Sequence, residues 1–93
     1  MSPDSYLYVT QKYDAETGGY FDIDEGHLTQ FPPSDTRHKR QKQAGIRRAY
    51  VTHAAEPASR HRLVMRTLLG GQLLEVIFLH PRQLHAGIRS AKK

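Results

Sequence analysis

Two β-rich runs constrain this chain most: Arg62-Leu63-Val64-Met65-Arg66-Thr67-Leu68-Leu69 and Gln72-Leu73-Leu74-Glu75-Val76-Ile77-Phe78-Leu79-His80, with only Gly70-Gly71 between them. A two-residue primed turn needs positive φ, which glycine adopts freely, so the pattern predicts a β-hairpin over residues 61–80. Fixing the turn there sets Arg66 opposite Glu75, a favourable pairing of opposite charges, and His61 opposite His80 at the open end. One face then holds Leu63, Met65, Thr67, Leu69, Leu74, Val76 and Phe78. The other holds Val64, Leu68, Leu73, Ile77 and Leu79 with Arg62, Arg66 and Glu75. Both faces are substantially apolar, which marks the hairpin as central to a sheet. The competing reading is a helix from Pro57 to Leu69, opened by the proline and closed by Gly70.

A second hairpin is expected over residues 6–24. Tyr6 to Tyr13 alternates in polarity, residues 14–19 form the turn, and Tyr20-Phe21-Asp22-Ile23-Asp24 alternates again. Leu7, Val9, Phe21 and Ile23 are the core candidates, with Tyr6, Tyr8 and Tyr20 together on the opposite face. Between the hairpins, Pro32-Pro33 stops any strand, and Ser34, Asp35 or Thr36 is placed to cap a helix. Over residues 32–49 the apolar positions (Ala44, Ile46, Ala49) are sparse, so this basic segment reads as a frayed helix or a flexible loop. Tyr50-Val51-Thr52 reads as a further short strand. Pro81 with Leu84, Ile88 and Ala91 at helical spacing predicts a short terminal helix over 81–91.

The expected fold is therefore α+β: one small domain spanning residues 1–93, with two hairpins in a mainly antiparallel sheet. A chain of 93 residues supports a single core. The absence of cysteine excludes disulfides, thiolate metal sites and a cysteine nucleophile, and it suits a reducing compartment. The N-terminus lacks the basic and apolar regions of a signal peptide, and no apolar run approaches a membrane span. A soluble cytoplasmic protein without membrane contact is expected, as monomer or homodimer, since an uncovered apolar face invites two-fold pairing.

Charge says more about partners. Residues 1–30 carry six acids against Lys12 alone, whereas residues 31–93 carry thirteen Lys and Arg against Asp35, Glu56 and Glu75, so the net +5 conceals a strong polarity. Arg37, Lys39, Arg40, Lys42, Arg47 and Arg48 lie within twelve residues. Their mutual repulsion is relieved by a polyanion, so nucleic acid (RNA or DNA) or a nucleoprotein complex is the expected partner, contacted at phosphates. Arg60, Arg62 and Arg66 would extend this surface if the hairpin edge lies alongside. Six phosphate contacts imply a log–log salt slope of about −5.

Two other readings compete. Tyr6, Tyr8 and Tyr20 on one face suggest protein contact, since nearby acids would repel phosphate; a stand-alone interaction or inhibitor protein of phage or plasmid type would use this surface. Packing beneath a helix or loop is the plainer explanation of the same tyrosines. His61 opposite His80, with His85 beyond, would suit acid/base cleavage of RNA by its own 2′-hydroxyl, assisted by Arg60 or Arg62 and requiring no metal. A zinc site is the lesser alternative, because the histidine spacing matches no ligand motif. Incidental placement on a basic surface accounts for these histidines more simply. The Gly18-Gly19 and Gly70-Gly71 pairs do not make a phosphate loop, and Asp22, Asp24 and Glu25 lack the closing glutamate of a calcium loop. No cofactor or metal is expected.

Overall fold

The computed structural model of the protein describes residues 5–79. The elements run β1 (Tyr6–Asp14), β2 (Gly19–Asp22), β3 (His27–Thr29), α1 (Thr36–Ala55), β4 (His61–Thr67) and β5 (Leu73–Phe78). All pairings are antiparallel, in the order β2-β1-β4-β5. β3 pairs with residues 6–8 of β1 and β2 with residues 11–14, so the two share one edge of the sheet, interrupted at residues 23–26. This is the α+β fold expected, with α1 on one sheet face. The expected terminal helix over 81–91 lies outside the described residues.

Of the two states expected for the basic segment, helix or flexible loop, it takes the helical one. It is a 20-residue helix that also takes in Tyr50, Val51 and Thr52, which are helical rather than a strand. Asp35 caps it, its carboxylate accepting from the Arg37 amide at 2.8 Å. The inward stripe is built from residues that a hydropathy pattern discounts: His38, Gly45, Ala49 and His53 are all buried. Gly45 and Ala49 let the helix approach closely, and a Cβ at Gly45 would meet Tyr8 Cβ at 3.6 Å. The core beneath α1 is Tyr6, Tyr8, Leu63, Met65 and Leu79 against Ala49, with Ile46, Tyr50 and Ile77 partly buried around it.

Each hairpin closes through a four-residue loop. Gly18 N–H donates to Asp14 C=O at 2.8 Å, and Gly71 N–H donates to Thr67 C=O at 2.9 Å. Both glycines have positive φ, +76° and +64°, a backbone state costly for any residue with a Cβ. Gly70-Gly71 is thus the second half of a longer loop and not the whole turn. The longer loop sets Arg66 opposite Leu73, and the bulge at Leu74 then moves the rest of β4 and β5 to one residue from the expected register, with Met65 opposite Glu75 and Val64 opposite Val76. Arg66 does not meet Glu75: it pairs with Asp22 at 2.6 Å, while Glu75 takes Lys42 of α1 at 2.7 Å.

The register decides which faces are buried. Tyr13 stands opposite Tyr20, so odd-numbered β1 residues share a face with even-numbered β2 residues. Tyr6 and Tyr8 point under α1 and are core residues, whereas Tyr20 lies on the far face, so the three do not form one stripe. Of the four core candidates only Val9 is fully buried; Phe21 is 47% exposed. Chain segment 23–26 shields Leu7 and Val9, and a Cβ at Gly26 would fall 2.9 Å from both side chains.

Candidate nucleic-acid interface

The helix sorts its cations by direction. Arg37 folds back on the cap, with Nη2 2.8 Å from Asp35 Oδ2. Those hydrogen bonds from Arg37 push the Asp35 carboxyl down to about 2. Lys42 points along the sheet-facing side to Glu75. Lys39, Arg40, Arg47 and Arg48 are exposed and pair with no carboxylate among the described residues. Arg40 and Arg47 are seven residues apart, about 10 Å along the axis and within 20° of the same helical direction. Of the six cations expected to form one surface, Arg40 and Arg47 lie on the outward line of α1, Lys39 and Arg48 flank that line on either side, and Arg37 and Lys42 are paired with carboxylates.

Arg60, Arg62 and Arg66 do not extend that surface. β4 is an interior strand, and its Arg62 and Arg66 side chains lie on the sheet face away from α1. Arg62 Nε donates to Gln11 Oε1 at 2.7 Å, and its guanidinium carbon lies 4.0 Å from the centre of the Tyr20 ring. Arg60 sits 5.6 Å from the Tyr13 ring centre. Tyr13 and Tyr20 meet edge to face at 5.4 Å, and Tyr20 meets Phe78 at 6.4 Å.

The buried histidines link α1 to the sheet. His38 Nδ1 is 2.7 Å from the Phe31 carbonyl, which only accepts, so Nδ1 carries the proton and donates. Nε2 shares a hydrogen bond of 2.8 Å with the Tyr8 hydroxyl. Burial, reinforced by the charge of Glu75, raises the Tyr8 pKa and keeps the phenol protonated. At the other end of α1, His53 Nδ1 and His61 Nδ1 share a hydrogen bond of 2.6 Å. Burial, then the neighbouring His53, lowers the His61 pKa below the ordinary imidazole value.

His61 is only 2% exposed. The observed register brings Leu79 to it, the Leu79 amide donating to the His61 carbonyl at 3.1 Å. His80 and His85 lie outside the described residues. Among the described residues the ring partner of His61 is His53, a partner that hairpin logic did not suggest. The two Nδ1 atoms bond each other instead of splaying about an ion, and among the described residues no cluster of three or more potential ligands forms. Above the pair opens a cleft of about 380 Å³, whose walls include Tyr20, Pro57, Arg60 and Phe78.

Sequence reasoning missed Tyr13 and Phe78 as surface partners of Tyr20. The signal was available in the turn: a four-residue loop after Asp14 necessarily sets Tyr13 across from Tyr20. No helix among the described residues is long and apolar enough to cross a membrane. No protein-family model matches the chain, and no match is found among curated proteins or solved structures.

Proposed function

We propose that the protein binds nucleic acid through phosphate contacts made by the outward face of α1. The observation that carries this reading is the group Lys39, Arg40, Arg47 and Arg48, exposed on one rigid helix with no carboxylate paired to them among the described residues. Four exposed cations on the outer half of one helix build a positive potential, and a polyanion that meets them releases its condensed counterions. A helix fixes their spacing in a way that a flexible loop does not, so less ordering is lost on binding. Among the described acids that precede the helix, Asp22 is held by Arg66 and Asp24 accepts from the Thr10 amide, so neither pairs with the outward cations of α1.

A ribonuclease needs acid and base groups open to a ribose hydroxyl. His61 is buried and bonded to His53, so the geometry favours binding over cleavage. Four phosphate contacts give a log–log salt slope of about −3.6 on duplex DNA. Fluorescence anisotropy of a labelled duplex at several salt concentrations measures it. A slope near −5 would restore Arg37 and Lys42 to the interface. No binding at low salt would overturn the reading and turn attention to an acidic protein partner.

A further inference from the structure

The sheet face away from α1 is open where its aromatic residues gather. Tyr13, Tyr20 and Phe78 form a continuous edge-to-face run across β1, β2 and β5. Phe78 is 51% exposed. Arg62 lies against Tyr20 and Arg60 near Tyr13, and neither pairs with a carboxylate among the described residues. The neighbouring acids are engaged. Asp14 turns into its own loop, accepting from the Glu16 amide at 3.0 Å, and Asp22 is neutralised by Arg66 at 2.6 Å. The surface thus offers aromatic rings with unspent positive charge, beside a cleft of about 380 Å³. That volume lies in the range of sites that enclose a small flat ligand.

We propose that this face binds the unpaired bases of a single-stranded nucleic acid, with Phe78 as the stacking surface and Arg60 and Arg62 as cations for the adjoining phosphates. The proposal rests on the nucleic-acid reading above and narrows it to single strands. Every base has a π-face, so stacking on aromatic rings tolerates any sequence, while guanidinium groups satisfy both phosphate oxygens and base faces. Arg62 is already oriented by Gln11, so its position is set before a ligand arrives. A duplex keeps its bases stacked on one another and offers this face only its backbone.

The test compares three labelled probes of equal length at one moderate salt concentration: oligothymidylate, an abasic strand with the same phosphates, and a duplex. Oligothymidylate is expected to bind roughly tenfold or more tighter than the abasic strand, the scale of one or two stacked bases. Phe78→Ala should shrink that preference while leaving abasic-strand binding nearly unchanged, whereas Arg62→Gln, which removes a phosphate contact, should weaken binding of both strands. A second measurement needs no substitution. The chain has five tyrosines and no tryptophan, so a base stacked on Phe78, whose ring lies 6.4 Å from that of Tyr20, should quench tyrosine emission with oligothymidylate and not with the abasic strand. Equal affinity for all three probes, with binding still weakened by Arg40→Ala, would overturn this inference and leave the helix reading intact. Failure of every probe to bind at low salt would remove the helix reading and this one with it.

Discussion

At the residue scale the fold depends on histidines in places where a hydropathy pattern expects aliphatic side chains. His38 satisfies both ring nitrogens, donating from Nδ1 to the Phe31 carbonyl and sharing a hydrogen bond between Nε2 and the Tyr8 hydroxyl. His53 and His61 satisfy one nitrogen of each ring with the other. A single proton lies between the two Nδ1 atoms, and a second one there would force them apart. The unfolded chain takes up a proton at His61 near pH 6.5, whereas the folded chain resists it because the ring is buried beside His53. The unfolded state therefore binds more protons below that pH, and stability is expected to fall as pH drops from about 6.5. Urea midpoints collected from about pH 8 to pH 5 measure the fall. His61→Phe should lower stability at the alkaline end and show a smaller drop across the interval; an unchanged profile would remove His61 as its source. None of this was legible in the sequence. His53 sits eight residues from His61, across a helix end, and no strand pairing or helical spacing connects the two.

At the element scale the two hairpins were readable and the helix cap was narrowed to Ser34, Asp35 or Thr36, whereas β3, the helical state of Tyr50-Val51-Thr52 and the faces of the strands were not. Asp35 follows Pro-Pro-Ser and carries a carboxylate, so it announces a helix start. Leu63 to Met65 and Val76 to Phe78 announce strands through β-branched and apolar content. Which side of the sheet each residue occupies depends on loop length and on bulges, because side chains alternate with period two. Gly-Gly reads naturally as a complete two-residue turn, yet Leu68 and Leu69 belong to the loop as well. Those two residues alone would leave the faces unchanged; the single extra residue at the Leu74 bulge moved Val76 and Phe78 to the open face and brought Ile77 and Leu79 under α1. The helix was underestimated for a related reason: its docking stripe uses Gly45, Ala49 and two histidines, which register weakly as apolar. That stripe yields a direct test. A Cβ at Gly45 would make ordinary contacts at 3.6 to 3.9 Å with Tyr8 and Leu63, so Gly45→Ala fits without displacement. It should stabilise the protein by about 0.5–1 kcal/mol through helix propensity, seen as a higher urea midpoint. A loss of stability would mean that the helix sits closer to Tyr8 than these distances allow.

At the scale of the whole molecule, a helix on one side and a bare sheet on the other divide the cations into two populations. Arg37, Lys42, Arg66 and Lys12 each hold a carboxylate, whereas Lys39, Arg40, Arg47 and Arg48 face outward and Arg60 and Arg62 flank the aromatic run. Lys42→Ala and Arg47→Ala should therefore behave differently although both remove one positive charge from α1. Arg47→Ala is expected to reduce the salt slope by about 1 with little change in unfolding, while Lys42→Ala leaves the slope in place. Removing Lys42 costs stability of up to about 1 kcal/mol, the ordinary worth of a partly exposed ion pair. Equal slopes for the two variants would mean that the outward cations are not the contact surface. The one-sided layering also bears on calorimetry. Contacts to α1 exchange ions and bury little carbon, so their enthalpy should vary little with temperature. Contacts to Tyr20 and Phe78 remove apolar surface from water and should give a negative heat-capacity change. Isothermal titrations at several temperatures would thus separate the two faces of this protein without altering a residue.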